Sequence, residues 1–252
     1  MIHRIFLLTA VVGVIGLMTC VPAFADDDDL RAVPFAFVGA AGDCGVGYAA
    51  GSNIVTAAWL RGMGLPDNGG PNSNPVDPTD NPNKTDPHLG LLLSKNGPTA
   101  DCSASGAEIK GFRGLRQETS MSIVLGFDYR NGGHCGAGAP RFNVVARPAT
   151  GPDTFHFVGG CSNGSPTAAG QDPTQWTQVR FDTADPTQSF PVIPAGSRIR
   201  SIDLIFDEGT DTANNDTEGV GLAIVDNIFI NGAFIRSGEG IAPGDKDRHD
   251  DD

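Results

Sequence analysis

Positive charge is scarce in this chain of 252 residues, which has 17 Lys and Arg residues against 30 Asp and Glu residues and a formal net charge of −13. Nucleic acids and anionic membranes carry charge of the same sign, so a chain of this composition is repelled by both. The composition therefore predicts a protein without a nucleic-acid partner.

Long apolar runs are absent after the N-terminus, where one run extends from Ile5 to Met18. The run follows Arg4, precedes a small-x-small motif that ends at Ala25, and is shorter than the about 20 residues that cross a bilayer. This arrangement is typical of an export signal. We therefore predict that a signal peptide of residues 1–25 is cleaved near Ala25, and that the protein is secreted, periplasmic or on the cell surface without membrane insertion.

The residue patterns of common catalytic sites are also missing. Glutamate is scarce and forms no paired-carboxylate strand motif of a glycoside hydrolase, and neither H-x-x-H nor H-E-x-x-H occurs. G-x-S-x-G matches at Gly160–Gly164, but Pro166 follows where a nucleophile elbow needs a helix. The sequence therefore predicts a protein that is not an enzyme, and it leaves a polysaccharide hydrolase as an alternative.

Cysteine is sparse, and four cysteines follow the predicted signal peptide. No C-x-x-C occurs, which disfavours a metal-thiolate site, and an even number of cysteines in an exported chain indicates disulfides. Four cysteines allow three pairings. We prefer Cys135–Cys161, since each lies at the end of a strand in a predicted antiparallel pair, and this choice leaves Cys44–Cys102.

Short strands separated by turns account for most of the remaining sequence, which contains 34 Gly and 18 Pro residues. Alternating apolar residues predict strands, among them Met121–Arg130, Arg141–Arg147 and Trp176–Asp182. In the segment Thr-Phe-His-Phe-Val, the same rule predicts that Phe155 and Phe157 point inward and that the polar His156 points outward.

These strands predict an all-β fold, a jelly-roll β-sandwich of two antiparallel sheets with about nine strands, in one domain over residues 35–236. Acidic tails are expected at residues 26–34 and 237–252. The segment 62–87 contains six prolines and few apolar side chains, so it is predicted to be a long loop that is either disordered or in contact with a ligand.

One carboxylate interrupts an apolar row near the C-terminus. Burying an isolated carboxylate is costly unless a cation, an arginine or backbone donors offset its charge. The alternative is a β-bulge at Asp226 and Asn227 that turns the acid outward. The row, counted by twos, is Val220, Leu222, Ile224, Asp226, Ile228 and Ile230.

The chain resembles the jelly-roll sandwiches of the galactose-binding-like superfamily, which includes many carbohydrate-binding modules of exported bacterial proteins. The resemblance rests on Trp176 at the start of a late strand, on Ile193–Gly196 before the next strand, and on Asp226–Ile228 in the last long strand. In such modules an aspartate of the last strand often helps to bind a structural calcium ion, and the matching residue here is Asp226.

Further oxygen ligands for calcium are available in the loop before that strand. Calcium takes six to eight oxygen ligands, and carboxylates are common among them. The candidate metal ligands are therefore Asp207, Glu208, Asp211 and Asp226.

The resemblance also implies a non-catalytic module that contacts extracellular glycan. Trp176, Gln178 and Arg180 share one face of a predicted strand, where an aromatic ring can stack on a sugar and planar polar groups can bind its hydroxyls. The alternative for Trp176 is packing against the sheet. The alternative for the whole chain is a structural or adhesive surface protein with calcium-dependent contacts to a partner protein.

Overall fold

The computed structural model describes residues 30–39, 54–67, 88–100, 102–210 and 219–243. Its described regular elements are β-strands, apart from a short 3-10 turn at Cys161–Asn163. No helix among the described residues is long and apolar enough to cross a membrane. The strands are β1 (Arg31–Phe37), β2 (Ile54–Arg61), β3 (Leu89–Asn96), β4 (Ala104–Lys110), β5 (Val124–Arg130), β6 (Arg141–Arg147), β7 (Thr154–Gly159), β8 (Thr167–Ala168), β9 (Trp176–Asp182), β10 (Ser189–Phe190), β11 (Arg198–Phe206), β12 (Leu222–Ile230), β13 (Ala233–Ile235) and β14 (Ile241–Pro243).

The strands form two antiparallel sheets, which confirms the predicted all-β fold. The six-stranded sheet has the order β1-β4-β11-β6-β7-β10, and the eight-stranded sheet has the order β14-β2-β3-β12-β5-β9-β8, with β13 beside β12. One core cluster joins residues from both sheets, so the sheets pack face to face. The jelly-roll topology within this sandwich stays a prediction.

The core is built by the alternation that the sequence predicts for β5, β6 and β9. Phe127, Phe142 and Phe181 come from these three strands, are fully buried, and have ring centroids 5.8 to 6.5 Å apart. Their tilted and edge-on contacts are the arrangement that aromatic pairs prefer. The aromatic centre of the core therefore follows from the alternating pattern alone.

The prediction of about nine strands is too low, since the described residues contain 14. Four of these strands, β8, β10, β13 and β14, have only two or three residues and are too short to show a period. Strand β1 begins at Arg31, inside the predicted acidic tail, and includes Pro34. Proline is tolerated there because β1 is an edge strand.

The predicted orientation of β7 is wrong. Phe155 and Phe157 are 47% and 43% exposed, whereas His156 is 1% exposed. The imidazole is accommodated because Nε2 contacts the Thr154 hydroxyl at 2.7 Å and Nδ1 contacts the Pro191 carbonyl at 2.8 Å. A buried polar group with two such partners has little cost, so the strand turns its two aromatic rings outward.

The predicted disulfide between Cys135 and Cys161 is confirmed, with the two Cα atoms 5.2 Å apart. It ties the loop before β6 to the 3-10 turn after β7. The second predicted pair, Cys44–Cys102, includes Cys44, which lies outside the described residues.

We expect the double variant Cys135→Ala/Cys161→Ala to lower the free energy of unfolding by about 3.5 kcal/mol, because the disulfide closes a loop whose ends are 26 residues apart. Urea denaturation of the variant and of the wild type measures the difference. The control for lost packing of the sulfur atoms compares the wild type with the variant when both are reduced, since neither then has a disulfide. A change below about 1 kcal/mol would contradict the expectation.

Candidate functional site

The predicted ligand-binding residues lie together on the outer face of the eight-stranded sheet. Val179 and Phe181 of β9 enter the core, so Trp176, Gln178 and Arg180 point the other way, as the alternation predicts. The shared face is therefore confirmed, and the question is whether this face is open to a ligand.

The indole ring of Trp176 is fully buried although it lies on the outer face. The beginning of the predicted long loop covers it: Leu65 belongs to the same small apolar cluster, and Asp67 Oδ1 accepts a hydrogen bond of 2.8 Å from Trp176 Nε1. Arg130 holds Asp67 in turn, with an N–O distance of 2.6 Å. A ring enclosed in this way has no free face for a sugar, so the structure corrects the predicted role of Trp176 and favours packing against the sheet.

Strand β12 contains a β-bulge next to this cluster. Its register with β5 shifts between Asp226 and Phe229, and Asn227 has a φ of 44°. Asparagine tolerates this left-handed conformation better than most side chains do. The bulge that the sequence offered as an alternative is therefore present.

The bulge shifts the alternation of β12 by one position. Ala223 and Val225 enter the core before it, and Ile228 and Ile230 enter the core after it. Asp226 therefore does not belong to the core-facing row, and the predicted row that joins it to Ile228 is wrong.

Asp226 is nevertheless only 3% exposed, because the backbone at Gly64 and Leu65 covers it. Its Oδ2 accepts 2.8 Å from the Leu65 N–H, and its Oδ1 accepts 2.6 Å from the Asn227 N–H. Burial raises the pKa of Asp226 to about 7; the neighbouring Asp128 acts in the same direction, and the two N–H donors and His88 act against it. Backbone donors, one of the three kinds of partner that the sequence analysis named, thus offset part of the cost of burying this acid.

Arg180 also makes its contacts within the protein. Its aliphatic stem lies over Gly126 of β5, where an added Cβ would be 2.5 Å from Arg180 Cδ, and its guanidinium lies 4.9 Å from the centroid of the Phe229 ring. It donates to Asp128 Oδ1 at 3.2 Å, while Asn227 Nδ2 donates to the other carboxylate oxygen at 2.8 Å. Burial lowers the pKa of Arg180, and Asp128 opposes that shift. The planar groups on this face bind one another.

The described acids of the predicted calcium site have protein partners. Both Asp207 oxygens lie 2.6 Å from the Arg141 guanidinium, and Glu208 contacts the buried His134 and accepts from a backbone N–H. Asp211 lies outside the described residues. Within the described part of the chain, no group of three or more His, Cys, Asp or Glu side chains is placed to hold a metal ion, so Asp207, Glu208 and Asp226 do not form one. Calcium binding by the full set stays a prediction.

The outer face of the six-stranded sheet carries a feature that the sequence analysis missed. Phe155, Phe157 and Phe190 are each more than 40% exposed. The rings of Phe155 and Phe157 have centroids 5.0 Å apart, and Phe190 of β10 is the register partner of Phe157. We call these three residues the aromatic row.

Polar side chains flank the aromatic row on β6. Asn143 is the register partner of Phe157, and the Arg141 guanidinium lies 4.9 Å from the Phe157 ring centroid. Arg141 Nε donates to Asn143 Oδ1 at 3.1 Å, and its pair with Asp207 fixes the other side of the guanidinium. The planar polar groups beside the exposed rings are therefore held in place before any ligand arrives.

A signal for the aromatic row is present in the sequence. Val158 has the same parity in β7 as His156, and it is fully buried, so the row that contains the histidine is the core-facing one. If the core-facing row of β7 is counted by twos from Val158 instead of from the two phenylalanines, it contains His156, and the phenylalanines point outward.

Comparisons of the chain with protein-family models, with curated proteins and with solved structures find no match. The resemblance to galactose-binding-like modules therefore stays a prediction.

We expect Asp226 to contribute a decline in the free energy of unfolding as the pH rises from about 4 to about 7. Its pKa is raised from 3.8 to about 7, so the folded state keeps this proton to a higher pH than the unfolded state and loses stability when the proton leaves. Asp226→Asn should flatten the decline in urea denaturation series over this pH range. Glu239→Gln, at an exposed carboxylate, is the control. An unchanged slope in Asp226→Asn would contradict the raised pKa.

Proposed function

We propose that this protein is an exported, non-catalytic glycan-binding module whose binding surface is the aromatic row. The observation that carries the proposal is the exposure of three neighbouring phenylalanine rings beside Arg141 and Asn143. The C–H faces of sugar rings pack on aromatic rings, and planar polar side chains bind the sugar hydroxyls. The location of this surface differs from the Trp176 face that the sequence predicts.

The rigidity of the aromatic row supports binding. All three rings lie on paired strands, and the backbone beneath them is held by the buried hydrogen bonds of His156. Groups that are already ordered lose little conformational entropy when a ligand binds, so more of the contact energy contributes to affinity. An apolar surface of this kind on a soluble protein is also a common mark of a binding site.

Polar side chains next to the rings favour a glycan over an apolar partner. The register of β10, β7, β6 and β11 aligns Phe190, Phe157, Asn143 and Asp203 across four neighbouring strands. A ligand crossing this line meets apolar and hydrogen-bonding groups in turn, which suits a sugar polymer. The Cys135–Cys161 disulfide supports export, because disulfides persist in oxidising compartments.

We expect Phe155→Ala/Phe157→Ala to weaken binding to the glycan by about tenfold or more, equivalent to about 1.4 kcal/mol. Affinity electrophoresis in gels that contain neutral glucans or galactans, together with retention on insoluble polysaccharides, measures the loss. The fold should remain, since substitutions at exposed positions change stability by about 0.5 kcal/mol or less.

The matched control is Val33→Ala/Phe37→Ala on β1. These two side chains are 39% and 47% exposed and lie at the opposite edge of the same sheet. Equal losses in both double variants would show that the effect is unspecific, and full binding by Phe155→Ala/Phe157→Ala would refute the aromatic row as the binding surface.

A polysaccharide hydrolase is the second candidate function, because one carboxylate pair favours it. Glu108 of β4 and Asp203 of β11 are register partners, so their Cβ atoms are about 5 Å apart. Burial, and then the charge of Glu108, raise the pKa of Asp203, as a general acid requires. Retaining glycosidases use two carboxyl groups at a spacing of about 5 Å. One observation opposes this function: the Glu108 carboxylate is already paired with Lys110.

We expect the wild type to bind glycans without releasing reducing ends, because the pairing of Glu108 with Lys110 occupies one of the two carboxylates. A reducing-end assay over long incubations measures this. The opposite outcome is that the wild type releases reducing ends in this assay. If that release disappears in Glu108→Gln and in Asp203→Asn but remains in Arg61→Gln, the result assigns the hydrolase function.

A further inference from the structure

A cleft of about 420 Å³ opens beside the aromatic row, where β4 and β11 separate. The two strands pair from Phe206, which is opposite Ser105, to Asp203, which is opposite Glu108. Their pairing ends there. The end of β4, the residues that follow it and the start of β11 form the walls of the cleft.

The lining of this cleft is strongly basic in a chain whose net charge is −13. One carboxylate, Glu108, lines it as well, and that carboxylate pairs with Lys110. We call this site the basic cleft. Its four cationic residues are Lys110, Arg113, Arg198 and Arg200.

The local charge decides what the basic cleft attracts. Charges on a protein surface are screened beyond about 8 to 10 Å at physiological ionic strength, so acids farther away than this contribute little inside the cleft. Two nearer acids, Asp203 and Asp153, interact electrostatically with Lys110 and Arg200, and Asp153 is itself paired with Arg147. Guanidinium groups bind carboxylate and sulfate groups through paired hydrogen bonds. The cleft therefore suits an anionic group of a ligand.

The basic cleft and the aromatic row are within reach of one ligand. Ser201 lines the cleft and is the register partner of Val145, whose partner on the other side is Phe155. The three residues face outward, since the neighbours of Val145 in β6 are core residues. Two strand spacings, about 10 Å, separate the cleft from the nearest ring of the row.

We propose that the basic cleft binds the carboxylate or sulfate groups of an acidic polysaccharide whose adjoining sugars pack on the aromatic row. This inference rests on the proposed glycan-binding function and specifies its substrate class. A nucleic acid fits less well, because its evenly spaced phosphates need a basic groove along the whole path. Here the outer face between the cleft and Phe157 carries Asp203 and Asn143.

The test compares polysaccharides that share a backbone and differ in charge. Polygalacturonate and its methyl ester form one pair, and dextran sulfate and dextran form the other. We expect the wild type to bind at least one charged member about tenfold more tightly than its neutral counterpart at physiological salt. The pair that shows the preference distinguishes a carboxylate from a sulfate ligand.

Three variants assign the preference to the cleft. Arg198 and Arg200 are exposed, so Arg198→Gln/Arg200→Gln should fold normally, lose most of the tenfold preference and keep its affinity for the neutral polymer. Arg61→Gln, at an exposed arginine of β2, should behave as the wild type. Phe155→Ala/Phe157→Ala should lose affinity for the charged and neutral polymers alike.

The failures of the two proposals are distinguishable. Equal binding of charged and neutral polymers by the wild type, or an intact preference in Arg198→Gln/Arg200→Gln, would overturn the inference about the basic cleft and leave glycan binding standing. Binding of neither polymer would overturn both. Competition by single-stranded DNA as effective as that of the acidic polysaccharide would overturn the assignment to a saccharide.

Discussion

The β-bulge in β12 is the constraint on which the eight-stranded sheet depends. One additional residue at Asn227 moves Asp226 out of the core-facing row and onto the outer face of the sheet. A buried carboxylate in that position needs hydrogen-bond donors. The backbone after β2 folds over it and supplies one of them, the Leu65 N–H. The same segment encloses Trp176. The bulge therefore converts an outer face into a second buried layer.

The two outer faces of the sandwich consequently differ in what they offer to a ligand. On the eight-stranded sheet, the Asp128 carboxylate accepts hydrogen bonds from Arg180 and Asn227, and a ligand would have to replace these bonds. On the six-stranded sheet, the aromatic rings are exposed and the flanking Arg141 is fixed from the side that faces Asp207. Binding there adds contacts without breaking existing hydrogen bonds, so this face is better suited to bind a ligand.

The sequence predicts the fold class and the centre of the core because β5, β6 and β9 alternate without interruption. It fails where a local hydrogen bond outweighs hydrophobicity. His156 lies inside because the Thr154 hydroxyl of the same strand and the Pro191 carbonyl after β10 meet its two nitrogens, and alternation cannot show that this carbonyl is there. Alternation also cannot decide between a buried acid at Asp226 and an inserted residue at Asn227, since parity on each side of a bulge is regular. Of the predicted site, the shared face of Gln178 and Arg180 follows from the pattern, and the enclosure of Trp176 by a distant loop does not.

The edge of the six-stranded sheet offers a further reason to assign its exposed rings to a ligand rather than to an added strand. Exposed strand edges pair with other chains when they are long and have free N–H groups. The edge strand β10 has only two residues, and Pro191 follows it without an N–H to donate. The Pro191 carbonyl is already engaged by His156. Because β10 offers little backbone for pairing at this edge, the surface that remains available is the face of the sheet, where Phe190 extends the line that runs through Phe157 to the polar groups of β6.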